Sequence, residues 1–107
     1  MTTTLLPAVH PGEMLVEEFL KPLGLTQTRL AAETGLPLAR INQICLGKRS
    51  ITADTDLRLC RYFGLSEGWW LRLQTHHDLE IAKRHLGPRL NKECRVLAKK
   101  NGRLVLS

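Results

Sequence analysis

This chain holds little that points to catalysis, a bilayer or a disulfide framework. Its 107 residues include only three cysteines, Cys45, Cys60 and Cys94, widely spaced and with no CxxC pair. An odd, dispersed set excludes zinc-finger spacing and a disulfide scaffold. Reduced thiols are expected, with Cys45 and Cys60 as small core residues. No apolar run approaches the roughly eighteen residues that a membrane span needs. Met1-Thr2-Thr3-Thr4 has no basic region followed by an apolar stretch, so no secretory leader is expected and the cytoplasm is the expected compartment. His76 and His77 are neighbours rather than four apart, so even with Asp78 nearby they do not make a helical zinc pair. There is no Ser/His/Asp ordering and no phosphate-cradling glycine loop. The expectation is therefore a protein that is not an enzyme and uses no cofactor or metal.

Apolar residues make up 43% of the chain, enough to bury one modest core. The formal net charge is +6, which favours a polyanionic partner. Its distribution weakens that inference. Residues 1–24 sum to −2, residues 25–66 to +3, residues 67–82 to −2 and residues 83–107 to +7. Most of the excess lies in the C-terminal tail.

Five helices are legible. Glu13 to Lys21 places Leu15 with Phe19, and Val16 with Leu20, four apart on one side, and Pro22 with Gly24 is expected to stop it. Thr26 is a good N-cap for a second helix, although Arg29 stands where a capping box needs Glu or Gln. Gly35 is suited to end that helix, and Pro37 to open the next, about Leu38 to Leu46. Its buried face should be Ile41, Ile44 and Cys45. Thr52 caps a fourth helix, with Asp54 and Asp56 in its first turn. Ser66 is expected to cap a fifth, running to about Arg84 before the Gly87-Pro88 break. Leu90, Cys94 and Leu97 fit a further short amphipathic helix ended by Asn101-Gly102. Leu104-Val105-Leu106 is expected to be a short strand or an unfixed end.

The stretch Thr26 to Ile44 has the shape of a helix-turn-helix, whose second helix lies in the DNA major groove. Ala31 supplies the small residue at the crossing and Gly35 the turn. Leu30, Leu36, Ile41 and Ile44 supply apolar anchors. Thr34 is the soft slot, where a larger apolar residue often sits.

His10-Pro11-Gly12-Glu13, Phe19 through Gln27, Arg40-Ile41-Asn42-Gln43-Ile44, Gly47 through Thr55, and Trp70-Leu71-Arg72-Leu73-Gln74 occur in that order. Over residues 8–86 they resemble the HigA-type antitoxins of the Xre/Cro-like helix-turn-helix group. The resemblance implies an all-α, five-helix, lambda-repressor-like domain over residues 1–87, followed by a basic C-terminal tail, residues 88–107, that lies beyond the similarity. It implies a homodimer on a palindromic operator in its own promoter. It also implies a cognate toxin of the RelE-like mRNA interferase type. Some relatives of this kind regulate without a toxin. Asp56 departs from the pattern, which usually has a small apolar residue there.

Gln27 is placed to bond a DNA phosphate at a helix N-terminus. Leu38, Ala39, Arg40 and Gln43 are the base-edge candidates, since Arg suits guanine, Gln suits adenine, and an apolar contact suits a thymine methyl. Arg40 has two other readings, a phosphate contact or an intramolecular ion pair. Asn42 is expected to touch phosphate or steady the loop. Lys48, Arg49, Ser50 and Thr52 are expected to grip the backbone. Trp69 and Trp70 cannot share one helix side, so one belongs to the core and the other, with Leu73, to a dimer seam or to a half-buried surface. Acidic Glu13, Glu17 and Glu18 suit a basic toxin better than the +7 tail does. His10 is expected to fix the N-terminal turn. Three functions remain open: a toxin-neutralising repressor, a stand-alone repressor, and a helical adaptor that does not bind DNA.

Overall fold

The computed structural model describes residues 9–106. Helix α1 is continuous through Pro11–Met14, Leu15–Leu20 and Lys21–Leu23, and the middle stretch is π-wound. Helices α2 (Gln27–Thr34), α3 (Leu38–Cys45), α4 (Ala53–Phe63), α5 (Trp69–Leu86) and α6 (Arg89–Glu93) follow. Strands β1 (Lys99–Lys100) and β2 (Arg103–Leu104) close the described chain as an antiparallel pair. No helix among these residues is long and apolar enough to cross a membrane.

Pro22 does not stop α1, contrary to its expected role. The turn ahead of it is widened, with the Lys21 N–H donating to the Val16 carbonyl five residues back. Proline has no N–H to give Glu18 in any case, and the π turn carries the helix past it. The chain ends the helix at Gly24 instead, at φ 63°. The π turn also changes which residues face inward. Leu15 and Leu20, five apart, are both buried, while Val16 and Phe19 are half-buried.

The core gathers Leu15, Leu30, Ile41, Ile44, Leu59 and Trp70, each at most 1% exposed. The chain's few aromatics collect beside it. Phe19 meets Phe63 at 4.6 Å, Trp70 at 5.1 Å and Trp69 at 5.7 Å between ring centroids.

Asp56 is the main surprise of this body. It lies 1% exposed, and it does more than complement the dipole of its own helix. Its Oδ2 accepts from Gly68 N at 2.8 Å, and its Oδ1 from Trp70 N at 2.9 Å and Leu71 N at 3.0 Å. Cys60 Sγ points at the same Oδ1 from 3.5 Å. A helix leaves its first N–H groups without partners, and the N-cap of α5 is Gly68, which has no side chain to offer. Asp56 supplies that cap from α4. Ser66 therefore does not cap α5 with its side chain; only its carbonyl takes part, accepting from Trp69 N. The departure from an apolar residue at Asp56 is explained by this joint.

The tail differs from the expected amphipathic helix. Helix α6 stops at Glu93, and Cys94 is extended at φ −120°, so Leu97 lies outside it. Asn101 and Gly102, both at positive φ (54° and 77°), turn the chain back on itself. Two successive positive φ values make the tight hairpin turn that Asn-Gly favours.

Candidate nucleic-acid interface

Helices α2 and α3 form the bihelical unit, and their joint shows why the sequence folds there. Thr26 Oγ1 accepts from Arg29 N at 3.1 Å and starts α2. Gly35 ends it at φ 76°. Thr34 fills the soft slot with a hydroxyl that donates to Leu30 O at 2.7 Å and accepts from Leu36 N at 3.3 Å, which ties the turn together. Pro37 stands at the N-cap of α3, extended at ψ 138°, one position before the first turn expected for it. Ile41 and Ile44 anchor α3 in the core.

The end of α3 is equally defined. Gly47 N donates to Ile44 O at 2.9 Å and Lys48 N to Gln43 O at 2.8 Å, with Gly47 at φ 74°. These paired bonds are a Schellman close. They aim Lys48, Arg49 and Ser50 outward, all exposed. The next residue, Ile51, returns to the core, and its N–H donates to Gln74 Oε1 of α5 at 2.8 Å. The loop is thus held at both ends. Gln74, 5% exposed, had no assigned role from sequence, and only the fold brings it to Ile51.

Helix α1 fixes α3 from the other side. A Cβ on Gly12 would stand 1.7 Å from Ile44 O, so only glycine permits this approach. His10 caps α1, its Nδ1 accepting from Gly12 N at 2.9 Å. Burial and the neighbouring His77 hold its pKa below the usual histidine value of 6.5, with Asp78 opposing. His10 does fix the N-terminal turn.

The outward side of α3 carries Leu38, Ala39, Asn42 and Gln43, all exposed. Asn42 Nδ2 donates to Gln27 Oε1 at 3.3 Å, so those two side chains bridge α2 and α3. Gln43 Oε1 accepts from Arg49 Nη1 at 3.3 Å, which leaves the Gln43 amide NH₂ free to donate. Arg40 stands apart from this stripe. Its side chain, 28% exposed, reaches Asp54 Oδ2 at 3.4 Å on α4. Asp54 is shared, since Arg58 also meets it at 3.2 Å while donating to the Thr34 carbonyl at 2.9 Å. Thr52 caps α4, its Oγ1 accepting from Thr55 N at 3.4 Å. Its hydroxyl thereby has a structural task beside the one expected of it. Lys48 and Arg49 have no carboxylate partner among the described residues.

The other expected sites lie elsewhere. Glu13, Glu17 and Glu18 are exposed on α1 beside half-buried Met14, and Lys21 pairs with Glu17 at 2.8 Å. The three dimer candidates divide. Trp70 is 0% exposed and packed against Phe19 and Phe63, so it has no surface to offer a partner. Trp69 and Leu73, one turn apart on α5, are half-buried and keep some.

The geometry has close counterparts. A helix-turn-helix family model matches residues 16–70. "Virulence-associated protein I" of Dichelobacter nodosus is 51% identical over 78 residues, 73% of this chain and 72% of that one. A solved structure of antitoxin HigA of Pseudomonas aeruginosa with the higBA promoter has TM-score 0.79 and 33% identity, covering 85% of this chain and 99% of that one. A HigA-family addiction-module antidote protein of Coxiella burnetii has TM-score 0.79 and 37% identity, with the same coverage. With the α2–turn–α3 unit closed as described and these likenesses spanning most of the chain, the protein belongs to the HigA-type antitoxins of the Xre/Cro-like helix-turn-helix family.

Proposed function

We propose that this protein is a dimeric, sequence-specific DNA-binding antitoxin that represses its own operon and neutralises a RelE-like mRNA interferase by binding it. One observation carries the DNA part. Helix α3 projects an exposed stripe, Ala39, Asn42 and Gln43, and ends in a hydrogen-bonded loop whose Lys48 and Arg49 lack acidic partners among the described residues. A positive loop beside an outward stripe suits phosphate grip next to base contact.

Within that reading, Leu38, Ala39 and Gln43 meet base edges. Gln27, Asn42, Lys48, Arg49, Ser50 and Thr52 hold the backbone. Arg40 reaches DNA only by leaving Asp54. An exposed pair of this kind is worth about 0–1 kcal/mol, so the exchange is cheap. Two copies of α3, one per protomer, read half-sites about one helical turn, roughly 34 Å, apart. Trp69 and Leu73 on α5 supply the dimer seam. Glu13, Glu17 and Glu18 on α1 meet the basic toxin.

The test is co-purification with the product of the neighbouring gene, followed by footprinting on the promoter. Replacing Arg40 with Ala should cost about 1–3 kcal/mol at particular base pairs, whereas Lys48→Ala should weaken every sequence alike and lower the salt slope by about one. Equal loss on all sequences would make Arg40 a phosphate contact. Reversing Glu17 and Glu18 to Lys should weaken the toxin complex, and unchanged toxin affinity would remove α1 from that interface.

A further inference from the structure

The basic tail is built as a positive hairpin that no acidic side chain among the described residues neutralises. From Pro88 to Leu106 there are six cations, Arg89, Lys92, Arg95, Lys99, Lys100 and Arg103, against the single acid Glu93. Glu93 is already taken by Arg89 at 3.1 Å, and the other five cations have no ion pair among the described residues. Every residue from Gly87 to Leu104 is exposed.

The hairpin makes the excess sharper. Lys100 stands directly opposite Arg103, and Lys99 is next to it opposite Leu104. Like charges directly across a strand pair are destabilising. The Asn101-Gly102 turn nevertheless locks them together at the tip. An anion seated against the tip would relieve that repulsion. A second copy of the same hairpin would double it, and lysine on a free edge also discourages strand pairing.

The path of α5 decides where the tail emerges. The helix begins at the aromatic cluster, with Trp70 against Phe19. Gln74 then reaches Ile51. His77 lies 5.1 Å from His10, ring to ring, and a Cβ on Gly47 would stand 3.9 Å from His10 Cγ. Successive turns of α5 therefore climb toward the C-terminal end of α3. The helix passes that end at His77 and runs on for nine residues before it stops at Leu86.

We propose that the β1–β2 hairpin is a second phosphate-binding element. Lys99, Lys100 and Arg103 grip operator backbone next to the phosphates held by the Lys48–Ser50 loop. This rests on the DNA-binding function proposed above and adds affinity without base preference.

The full-length chain with Lys99→Ala, Lys100→Ala and Arg103→Ala tests it on the promoter duplex over a salt series. Each lost phosphate contact removes about 0.9 from the log–log salt slope, so the triple variant should flatten it by about 2–3 for each protomer bound. Hydroxyl-radical protection should shrink beside the α3 contacts while base preference stays the same. Lys99→Arg with Lys100→Arg should keep the wild-type slope, and so should Leu104→Ser, which removes no charge from the hairpin. An unchanged slope and footprint in the triple variant, alongside a flattened slope in Lys48→Ala, overturns the hairpin contact and leaves the DNA function standing. A loss confined to toxin co-purification overturns it in favour of a protein partner. A wild-type chain that binds no promoter DNA sinks the DNA function, and the hairpin contact with it.

Discussion

Two aspartates two residues apart on α4 separate two regions of this molecule. Asp56 faces the α4–α5 joint, buried, and takes three backbone N–H groups. Asp54 faces the α3 side, exposed, and is shared between Arg40 and Arg58. The inner seam uses a carboxylate whose removal would strand buried donors. The outer face uses one whose partners water can replace at once. The difference separates what holds the fold from what can be exchanged when a polyanion arrives.

Asp56→Ala should break the inner seam with the largest effect. Losing the side-chain cap of α5 and leaving its N–H groups unpaired should cost about 2–4 kcal/mol. The thermal midpoint should fall by roughly 10 °C or more. A melting curve within a degree or two of wild type would refute the trans-helix cap. Gly12→Ala comes next, because a methyl group 1.7 Å from Ile44 O forces α1 away from α3. About 1–3 kcal/mol of stability should be lost, and promoter affinity should fall with it as the end of α3 shifts. Loss of stability without loss of affinity would show that α3 does not depend on α1.

Asp54→Asn probes the outer face and should change stability by less than about 1 kcal/mol. A loss as large as that of Asp56→Ala would erase the distinction between the two faces. The smallest effect is expected at His10. Its folded pKa lies below 6.5, so the unfolded chain binds the proton more readily. Its contribution is complete above pH 6.5 and declines as pH falls below it. His10→Asn keeps a capping side chain and has no proton to gain, so its denaturant midpoint should change less between pH 7 and pH 5 than that of wild type. Equal slopes in the two proteins would remove His10 as the source.

Much of the reading unit was legible beforehand because its rules are local. Thr26, Gly35 and Thr52 act within one or two turns, as caps must. Ile41 and Ile44 follow the helical period into the core. Pro22 misled because a π turn upstream carries the helix past it, and no local rule announces such a turn. Asn101-Gly102 is a strong hairpin signal, but the apolar spacing of Leu90, Cys94 and Leu97 pointed to a helix through Leu97 instead. Trp69 and Trp70 had to face different ways. Which of them entered the core depended on the position of Phe19 and Phe63.

The sequence by itself determined the bihelical unit and the caps Thr26 and Thr52, because periodicity, glycine turns and N-cap chemistry act over a few residues. Only the tertiary structure decided what the polar side chains do. It put Asp56 on the start of α5, Gln74 on Ile51 and Asp54 on Arg40. Each of these pairs is separated by twelve or more residues, so neither partner carries a local mark of the other. Their roles come from packing that brings distant donors and acceptors within bonding distance.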